Sequence, residues 1–263
     1  MKIKANAIRM NCELSGKEDG EVVVLSHSLA SSLVLWQPQM DILNRHFRVL
    51  AYDTRGHGGT DASPPPYTLS QLGKDAVALL DALNIDTVHW VGISMGGMIG
   101  QSVALNHSDR LRSLSLCDTA SLVPREADQV WQERSELAKR DGMAPMVQPT
   151  LERWFTPPFL ALNPPIVDVI RRHILATPVD GYIGCSEAIR RLNYLDRLSE
   201  IMTPTLIIVG EDDPGTPVEA SQAMHDRIPQ SRLVVIPSAA HLSNIEQSEP
   251  FNHELMAFLM SVK

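Results

Sequence analysis

The sequence is poor in cysteine and has no long apolar segment. Its 263 residues include only three cysteines, Cys12, Cys117 and Cys185, which lie far apart along the chain. An odd, widely spaced set of this kind predicts neither a disulfide framework nor a cysteine-bound metal ion. The opening residues, MKIKANAIRMNCEL, lack the apolar core of a signal peptide. No apolar run approaches the roughly 20 residues of a membrane-spanning helix, so we expect a cytoplasmic protein with no membrane partner.

Positive charge is also scarce. The chain has 23 Lys and Arg residues against 31 Asp and Glu residues, and its formal net charge is −8 at pH 7. Proteins that bind nucleic acids usually carry the opposite excess, because they neutralise phosphates. With 44% hydrophobic and 21% charged residues, the composition is otherwise that of an ordinary globular protein. These numbers exclude nucleic acid as an expected partner and are compatible with an enzyme.

Short apolar runs alternate with stretches of helical periodicity over most of the chain. One or two strands are predicted at the N-terminus, and further strand-like runs lie at 21–28, 47–53, 87–92, 111–118, 203–210 and 231–237. The clearest helical patterns lie at 70–83, at 95–107 and near the C-terminus. Runs rich in Val, Ile and Leu are typical of strands that are buried on both faces. The predicted fold class is therefore α/β, a mostly parallel sheet flanked by helices.

One segment, residues 122–195, departs from this alternation. It contains helical patterns interrupted by proline pairs at 157–158 and 164–165, and it has no strand-like run of comparable quality. The alternation of strands and helices resumes after it. The sequence thus predicts a core formed by residues 1–121 and 196–263, with a helical insertion at 122–195.

The stretch GISMGG places Ser94 between Gly92 and Gly96, in the pattern G-x-S-x-G. This pattern alone is a weak signal, but here it follows a predicted strand and opens a predicted helix. A sharp strand-to-helix turn strains the central residue, and the glycines leave room for close packing of the helix on the sheet. We therefore predict that Ser94 is a nucleophile presented at the positive end of a helix.

A serine hydroxyl needs a base, and the base needs an orienting acid. For a nucleophile on such a turn, the expected chain order is Ser, then acid, then His. Asp213, in the loop GEDDPGTP after a late strand, is the preferred acid. Its neighbour Asp212 and the post-strand residue Asp118 are alternatives. His241 follows the last predicted strand, downstream of Asp213, and is the predicted base.

Negative charge that develops on a carbonyl oxygen needs two N–H donors, together called an oxyanion hole. One is expected from the residue that follows the nucleophile, Met95, and the other from Leu29 in the loop HSLASS. We expect His27 to support this loop rather than to transfer a proton. The glycine-rich turn YDTRGHGGTD is interpreted as a tight structural turn beside the site.

Taken together, these motifs resemble the α/β-hydrolase family over nearly the whole chain. The matching stretches are SHSL, DTRGHG, GISMGG, GEDDPGTP and AAHLSNIEQ. The resemblance implies that residues 122–195 form a cap over the site. Within the family the chain looks most like the 3-oxoadipate enol-lactonases, on the stretches at 28–39, 117–123, 181–198 and 241–252. It departs from the common family pattern at Ser238 and Ala240, where glycine is usual.

The closer resemblance implies a small anionic lactone substrate and no cofactor or metal. A guanidinium in the cap would bind the substrate carboxylate well. Arg190 is the preferred candidate, with Arg134 and Arg191 as alternatives, and Trp131 and Trp154 are candidates to line the pocket. For each of these residues the simpler interpretation is a solvated helix surface or a packed core.

Three other functions remain compatible with the same motifs. A general carboxylesterase or a carbon–carbon bond hydrolase would use the same serine nucleophile. A small-molecule receptor that retains the hydrolase fold would keep the motifs without turnover. The fold by itself does not choose among them, because this architecture hosts many chemistries.

Overall fold

The computed structural model describes residues 1–262, and its centre is a sheet of eight strands. These are β1 (Lys2–Ala5), β2 (Ile8–Gly16), β3 (Val22–Ser26), β4 (Arg48–Tyr52), β5 (Val88–Ile93), β6 (Leu111–Cys117), β7 (Thr205–Gly210) and β8 (Ser231–Ile236). Their order across the sheet is β1-β2-β4-β3-β5-β6-β7-β8. The pairs β1–β2 and β2–β4 are antiparallel, and every later pair is parallel. The predicted mostly parallel α/β sheet is confirmed.

The central strands are buried on both faces. Every residue of β5 and β7 is buried, as the continuous apolar runs predict. The last strand, β8, lies at one edge of the sheet and has only one fully buried residue, Ile236. Because the strands from β3 to β8 are parallel, their carboxyl ends lie at the same edge of the sheet, where the loops that follow them can together form a site.

Residues 1–262 contain eleven α-helices. They are α1 (Gln37–Leu43), α2 (Leu69–Ala82), α3 (Met95–Asn106), α4 (Asp128–Asp141), α5 (Val147–Trp154), α6 (Pro157–Leu162), α7 (Pro165–Ala176), α8 (Val179–Arg190), α9 (Val218–His225), α10 (Ser243–Glu246) and α11 (Ser248–Ser261). The apolar core has two parts, one on each face of the sheet. One part includes side chains of α1 and α11, and the other includes side chains of α2, α3 and α9. Among residues 1–262, no helix is long and apolar enough to cross a membrane.

Five of these helices, α4 to α8, form the connection between β6 and β7. The two ends of this connection meet, because Leu122 and Asn193 form an isolated antiparallel bridge. Next to the bridge, the Val123 N–H donates to the carbonyl of Leu192 at 3.1 Å. A segment that leaves and re-enters a core at one point can be inserted without breaking the sheet. A separate helical unit at 122–195 stays a prediction that this geometry favours.

A buried ion pair fixes the glycine-rich turn at 54–61. Arg55 donates through Nε and Nη2 to the two carboxylate oxygens of Asp75, each at 2.7 Å. The two side chains are only 6% and 2% exposed. Asp75 belongs to α2 and also accepts from the side chain of Asn6, so one carboxylate joins the turn, a helix and the β1–β2 hairpin.

We expect Asp75→Ala to lower the free energy of unfolding by about 3 to 5 kcal/mol, because it leaves a buried guanidinium without its partner. Urea denaturation measures the change. Glu200→Ala is the control, since Glu200 pairs with Arg197 at 2.8 Å on an exposed surface and should have little effect. Equal losses in the two variants would contradict this interpretation.

Candidate active site

Ser94 occupies a strained turn between β5 and α3. Its backbone has φ 53° and ψ −118°, a conformation that residues other than glycine rarely adopt. The glycines on either side are required by packing. A Cβ on Gly96 would lie 2.0 Å from the carbonyl oxygen of Ser26, and one on Gly92 would lie 2.2 Å from that of Gly96. The first turn of α3 can therefore press against β3 and β5, which sets where the Ser94 hydroxyl points.

Three side chains from separate loops form a continuous hydrogen-bonded chain. His241 Nε2 lies 2.9 Å from Ser94 Oγ, and His241 Nδ1 lies 2.8 Å from Asp213 Oδ2. The carboxylate is held in turn by the N–H groups of Gly215 and Thr216 and by the Thr216 hydroxyl, at 2.7 to 3.0 Å. All three members of the chain are buried. This arrangement can take a proton from the serine hydroxyl and stabilise the resulting imidazolium.

Electrostatics match this geometry. Burial disfavours a charged imidazole, but the Asp213 carboxylate outweighs it and raises the pKa of His241. Burial likewise opposes ionisation of Asp213, yet the charge and hydrogen bond of His241 lower the pKa of that carboxyl. Asp213 is therefore an anion at neutral pH, and His241 is a stronger base than an isolated histidine.

Neither of the two alternative acids, Asp212 and Asp118, forms a hydrogen bond with His241. Asp212 is exposed, and its carboxylate makes no hydrogen bond within residues 1–262. Asp118 is fully buried and accepts from Gly210 N at 2.8 Å and from the Ser243 hydroxyl at 2.6 Å. Burial and the nearby charge of Asp213 raise the pKa of Asp118 to about 8. Through its hydrogen bonds Asp118 joins the end of β7 to the start of α10. Among the three candidates, only Asp213 forms a hydrogen bond with the imidazole of His241.

The two expected oxyanion donors flank the nucleophile. Met95 is the first residue of α3, directly after Ser94, and Leu29 lines the cavity that contains the serine. Within residues 1–262, neither backbone N–H has a hydrogen-bond acceptor. Free N–H groups of this kind, one at a helix N-terminus, can stabilise a developing negative charge.

Two buried histidines support the loop that carries Leu29. Thr54 N donates to His27 Nε2 at 2.9 Å, and His27 Nδ1 lies 2.7 Å from the carbonyl of Ser28. Ala30 N donates to His57 Nε2 at 3.0 Å. Burial and the neighbouring His27 lower the pKa of His57 to about 3, and burial lowers the pKa of His27. Both rings are therefore uncharged at neutral pH, and their hydrogen bonds hold this loop against the turn at 54–61. That His27 supports the loop and does not transfer a proton stays a prediction.

A cavity of about 300 Å³ opens above Ser94 and His241. Its far wall comes from the helices between β6 and β7 and includes the predicted residues Trp131 and Trp154. Tyr182 of α8 also lines it. Among residues 1–262, no group of His, Cys, Asp and Glu side chains is placed to hold a metal ion.

The preferred carboxylate ligand, Arg190, does not line this cavity. Its guanidinium is bound by Glu187 at 2.9 Å and by Asp128. Arg191, the neighbouring alternative, is largely exposed and also lies near Glu187. Helical position alone cannot reveal such partners, and the two acidic neighbours leave Arg190 without a free charge for a ligand.

Two other arginines do line the cavity, Arg134 and Arg153. Neither forms an ion pair within residues 1–262. Arg134 lies over the ring of Trp131, with 5.3 Å from its Cζ to the ring centroid, and Arg153 donates to the hydroxyl of Thr150 at 3.1 Å. Burial, followed by the charge of Arg134, lowers the pKa of Arg153 to about 10. A bound anion would offset the charge of Arg134 and favour the protonated form of Arg153.

Sequence reasoning missed Arg153, although α5 contains a usable signal. The buried residues of this helix are Val147, Thr150, Leu151 and Trp154, which follow helical spacing. Arg153 lies three positions after Thr150 and so borders the buried face. A cation at such a border, in a helix of the insertion, is a candidate for the cavity.

Comparisons with known proteins match nearly the whole chain. A family model described as "alpha/beta hydrolase fold" matches residues 21–248. A 3-oxoadipate enol-lactonase from Acinetobacter baylyi is 35% identical over 257 residues, or 98% of this chain and 95% of that relative. The crystal structure of the enol-lactonase from Burkholderia xenovorans has a TM-score of 0.96 at 33% identity, covering 99% of this chain and 100% of the other. A thermophilic esterase from Thermogutta terrifontis has a TM-score of 0.93 at 30% identity, covering 100% and 98%.

We expect Asp213→Asn to lower kcat for an activated ester by about 10³- to 10⁴-fold, because the amide no longer stabilises the imidazolium. Steady-state hydrolysis of 4-nitrophenyl acetate measures the effect. Asp212→Asn is the matched control, and its kcat should stay within about twofold of wild type because the side chain is exposed. A loss in Asp212→Asn as large as that in Asp213→Asn would contradict the assignment.

The rate should also fall at acidic pH. His241 must be neutral to accept a proton, and its raised pKa places the midpoint of the acidic limb above about 6.5, the ordinary value for histidine. A profile of kcat/KM against pH measures this midpoint. Activity is present above the raised pKa and is lost as the pH falls through it. A midpoint below 6 would show that the imidazole is not stabilised in its charged form.

Proposed function

Since the chain belongs to the α/β-hydrolase family and is an ester-hydrolysing enzyme, we propose that it opens the ring of 3-oxoadipate enol-lactone to give 3-oxoadipate. The reaction would serve the breakdown of aromatic compounds through the β-ketoadipate pathway. One observation carries the proposal. Ser94 and His241, which are hydrogen-bonded to each other and through His241 to Asp213, line a cavity that is also lined by two guanidinium groups with no ion-pair partner within residues 1–262.

In the first half of the reaction, His241 removes the proton from Ser94 Oγ as this oxygen attacks the lactone carbonyl. The N–H groups of Met95 and Leu29 donate to the oxyanion of the tetrahedral intermediate. Asp213 stabilises the imidazolium and holds its tautomer. The ring C–O bond then breaks, which leaves the acyl group on Ser94.

The leaving group makes this step favourable. It is an enolate, a better leaving group than an alkoxide, and after it takes a proton from His241 it tautomerises to a ketone. In the second half, His241 activates a water molecule that attacks the acyl-enzyme, and Ser94 recovers its proton. No metal or organic cofactor takes part in these steps.

Arg134 and Arg153 are the groups that we assign to the free carboxylate of the substrate. Both line the same cavity as Ser94, and neither has an anionic partner within residues 1–262. Guanidinium groups bind carboxylates by charge-assisted hydrogen bonds. Trp131 and Trp154 supply apolar walls beside them. We therefore propose Arg134 and Arg153, in place of Arg190, as the residues that bind the substrate carboxylate.

In this proposal the helices between 122 and 195 act as a cap. They provide the cations and the aromatic walls, whereas the strands and loops of the core provide the nucleophile, base and acid. A cap over the serine would also exclude water and strengthen each charged interaction inside the cavity.

A general carboxylesterase is the second candidate function. It is favoured by the similarity to the Thermogutta esterase and by the largely apolar cap surface near Trp131. The decisive experiment compares 3-oxoadipate enol-lactone with neutral esters of similar size. Preference for the enol-lactone supports the lactonase, and an enol-lactone kcat/KM no higher than that of the neutral esters would refute it. Loss of all turnover in Ser94→Ala would exclude a non-catalytic receptor.

We expect Arg153→Met to raise KM for the enol-lactone about 10- to 100-fold, because one charge-assisted hydrogen bond to the carboxylate is lost. Methionine keeps much of the apolar stem, so KM for a neutral ester should change little. Arg191→Met is the matched control, since Arg191 is exposed and does not line the cavity. Unchanged selectivity in Arg153→Met would exclude Arg153 as the carboxylate ligand.

A further inference from the structure

The loop that carries His241 is fixed on both sides of this residue. Ala240 N donates to the carboxylate of Glu246 at 2.9 Å. Leu242 N donates to the carbonyl oxygen of Trp154 at 3.1 Å. The residues on either side of His241 are thus held by two acceptors, one at the end of α10 and one from the insertion.

Glu246 also contacts the insertion directly. Its Oε1 accepts from the backbone N–H of Thr156 at 3.1 Å and from the Thr156 hydroxyl. Thr156 is the N-cap of α6 and follows the end of α5 by two residues. One half-buried carboxylate therefore binds both the loop of the base and the junction between α5 and α6.

These contacts are hydrogen bonds without a counter-charge. Within residues 1–262, Glu246 forms no ion pair with Lys, Arg or His, and its acceptors serve backbone and hydroxyl donors from two separate segments. The side chain does not line the cavity. A contribution to surface charge would not require three such donors from two elements, whereas a fixed spacing between those elements does.

The same junction lies next to the cavity. Arg153 and Trp154, which line it, come three and two residues before Thr156. Glu246 is bonded to Thr156, and Arg153, whose guanidinium we assigned to the substrate carboxylate, lies three residues before Thr156 in the chain. On its other side, Glu246 is one hydrogen bond from the residue that precedes His241.

We propose that Glu246 is a positioning residue that holds the general base and the cationic wall of the cavity in one register. Its effect on the base depends only on the serine mechanism. Its effect on anion selectivity rests on the proposed function, because it requires Arg153 to bind a carboxylate. A displacement of about 1 Å in either group is enough to reduce the rate strongly.

The test uses two esters that differ in charge. They are 4-nitrophenyl pentanoate, which is neutral, and 4-nitrophenyl hydrogen succinate, which carries a free carboxylate. In Glu246→Ala we expect kcat for the neutral ester to fall about tenfold, since the residue that precedes His241 loses its hydrogen-bond acceptor. We also expect the ratio of kcat/KM for the anionic ester to that for the neutral ester to fall.

Gln247→Ala is the matched control. Gln247 donates to the carbonyl of Ser238 at 3.0 Å on the same loop, but within residues 1–262 it forms no hydrogen bond with the insertion. The control should keep both kcat and the ester ratio. Thermal melting of each variant shows whether a loss of rate reflects unfolding, and a fall in kcat is counted only at temperatures where the variant is folded.

Thr156→Val tests the bridge from its other end. It removes the hydroxyl donor to Glu246 and should lower the ester ratio. Combined with Glu246→Ala, it should cause no further fall, because the bridge is already broken. Fully additive losses would overturn the bridge.

The outcomes separate this inference from the proposed function. If kcat for the neutral ester is unchanged in folded Glu246→Ala, Glu246 does not position the base and the inference is overturned, whatever the substrate. If Arg153→Met leaves the ester ratio unchanged, the carboxylate site fails, while the kcat measurement still tests Glu246. A tenfold fall in kcat that is absent from Gln247→Ala supports the positioning role.

Discussion

The close approach of α3 to the sheet is the constraint on which the site depends. Gly92 and Gly96 have no Cβ at the point of closest approach, so the helix begins directly where β5 ends. This leaves Ser94 in a strained conformation and frees the N–H of Met95. The packing that creates the strain also buries apolar surface of α3, which offsets its cost of about 1 to 3 kcal/mol. The proposed nucleophile, Ser94, and the proposed oxyanion donor, Met95, thus both depend on the close packing of α3 against the sheet.

Charge around the serine is distributed unevenly by burial and hydrogen bonding. Asp118 and Asp213 both follow parallel strands and both are buried, yet their pKa values shift in opposite directions. Asp213 forms a hydrogen bond with an imidazole that can carry the opposite charge, whereas Asp118 accepts only from neutral donors, and burial and the charge of Asp213 outweigh the effect of His241 on its pKa. The protein therefore keeps one full negative charge beside His241 and uses the second carboxyl to tie loops together.

The insertion adds a different kind of charge to the same space. Arg134 and Arg153 line the cavity and have no anionic partner within residues 1–262, and burial together with repulsion by Arg134 lowers the pKa of Arg153. An anionic substrate would relieve that repulsion on binding. The bond between Leu242 N and Trp154 O and the contacts of Glu246 hold this cationic wall against the loop of the base. In the proposed function, the groups that bind the substrate and the groups that transfer the proton would then be held together by these few hydrogen bonds.

The sequence by itself determined the parallel sheet, the strand-to-helix turn at Ser94 and the pairing of His241 with an acid, because these depend on local periodicity and on the order of motifs. It left Asp213 and its rivals open, since distance to an imidazole is not a local property. Arg190 and Arg153 show the same limit in the insertion: both are arginines on helices, and only the tertiary structure gave one its acidic neighbours and the other a free place in the cavity. Side-chain partners come from segments far apart in the chain, so packing alone decides which charges are neutralised and which remain to bind a substrate.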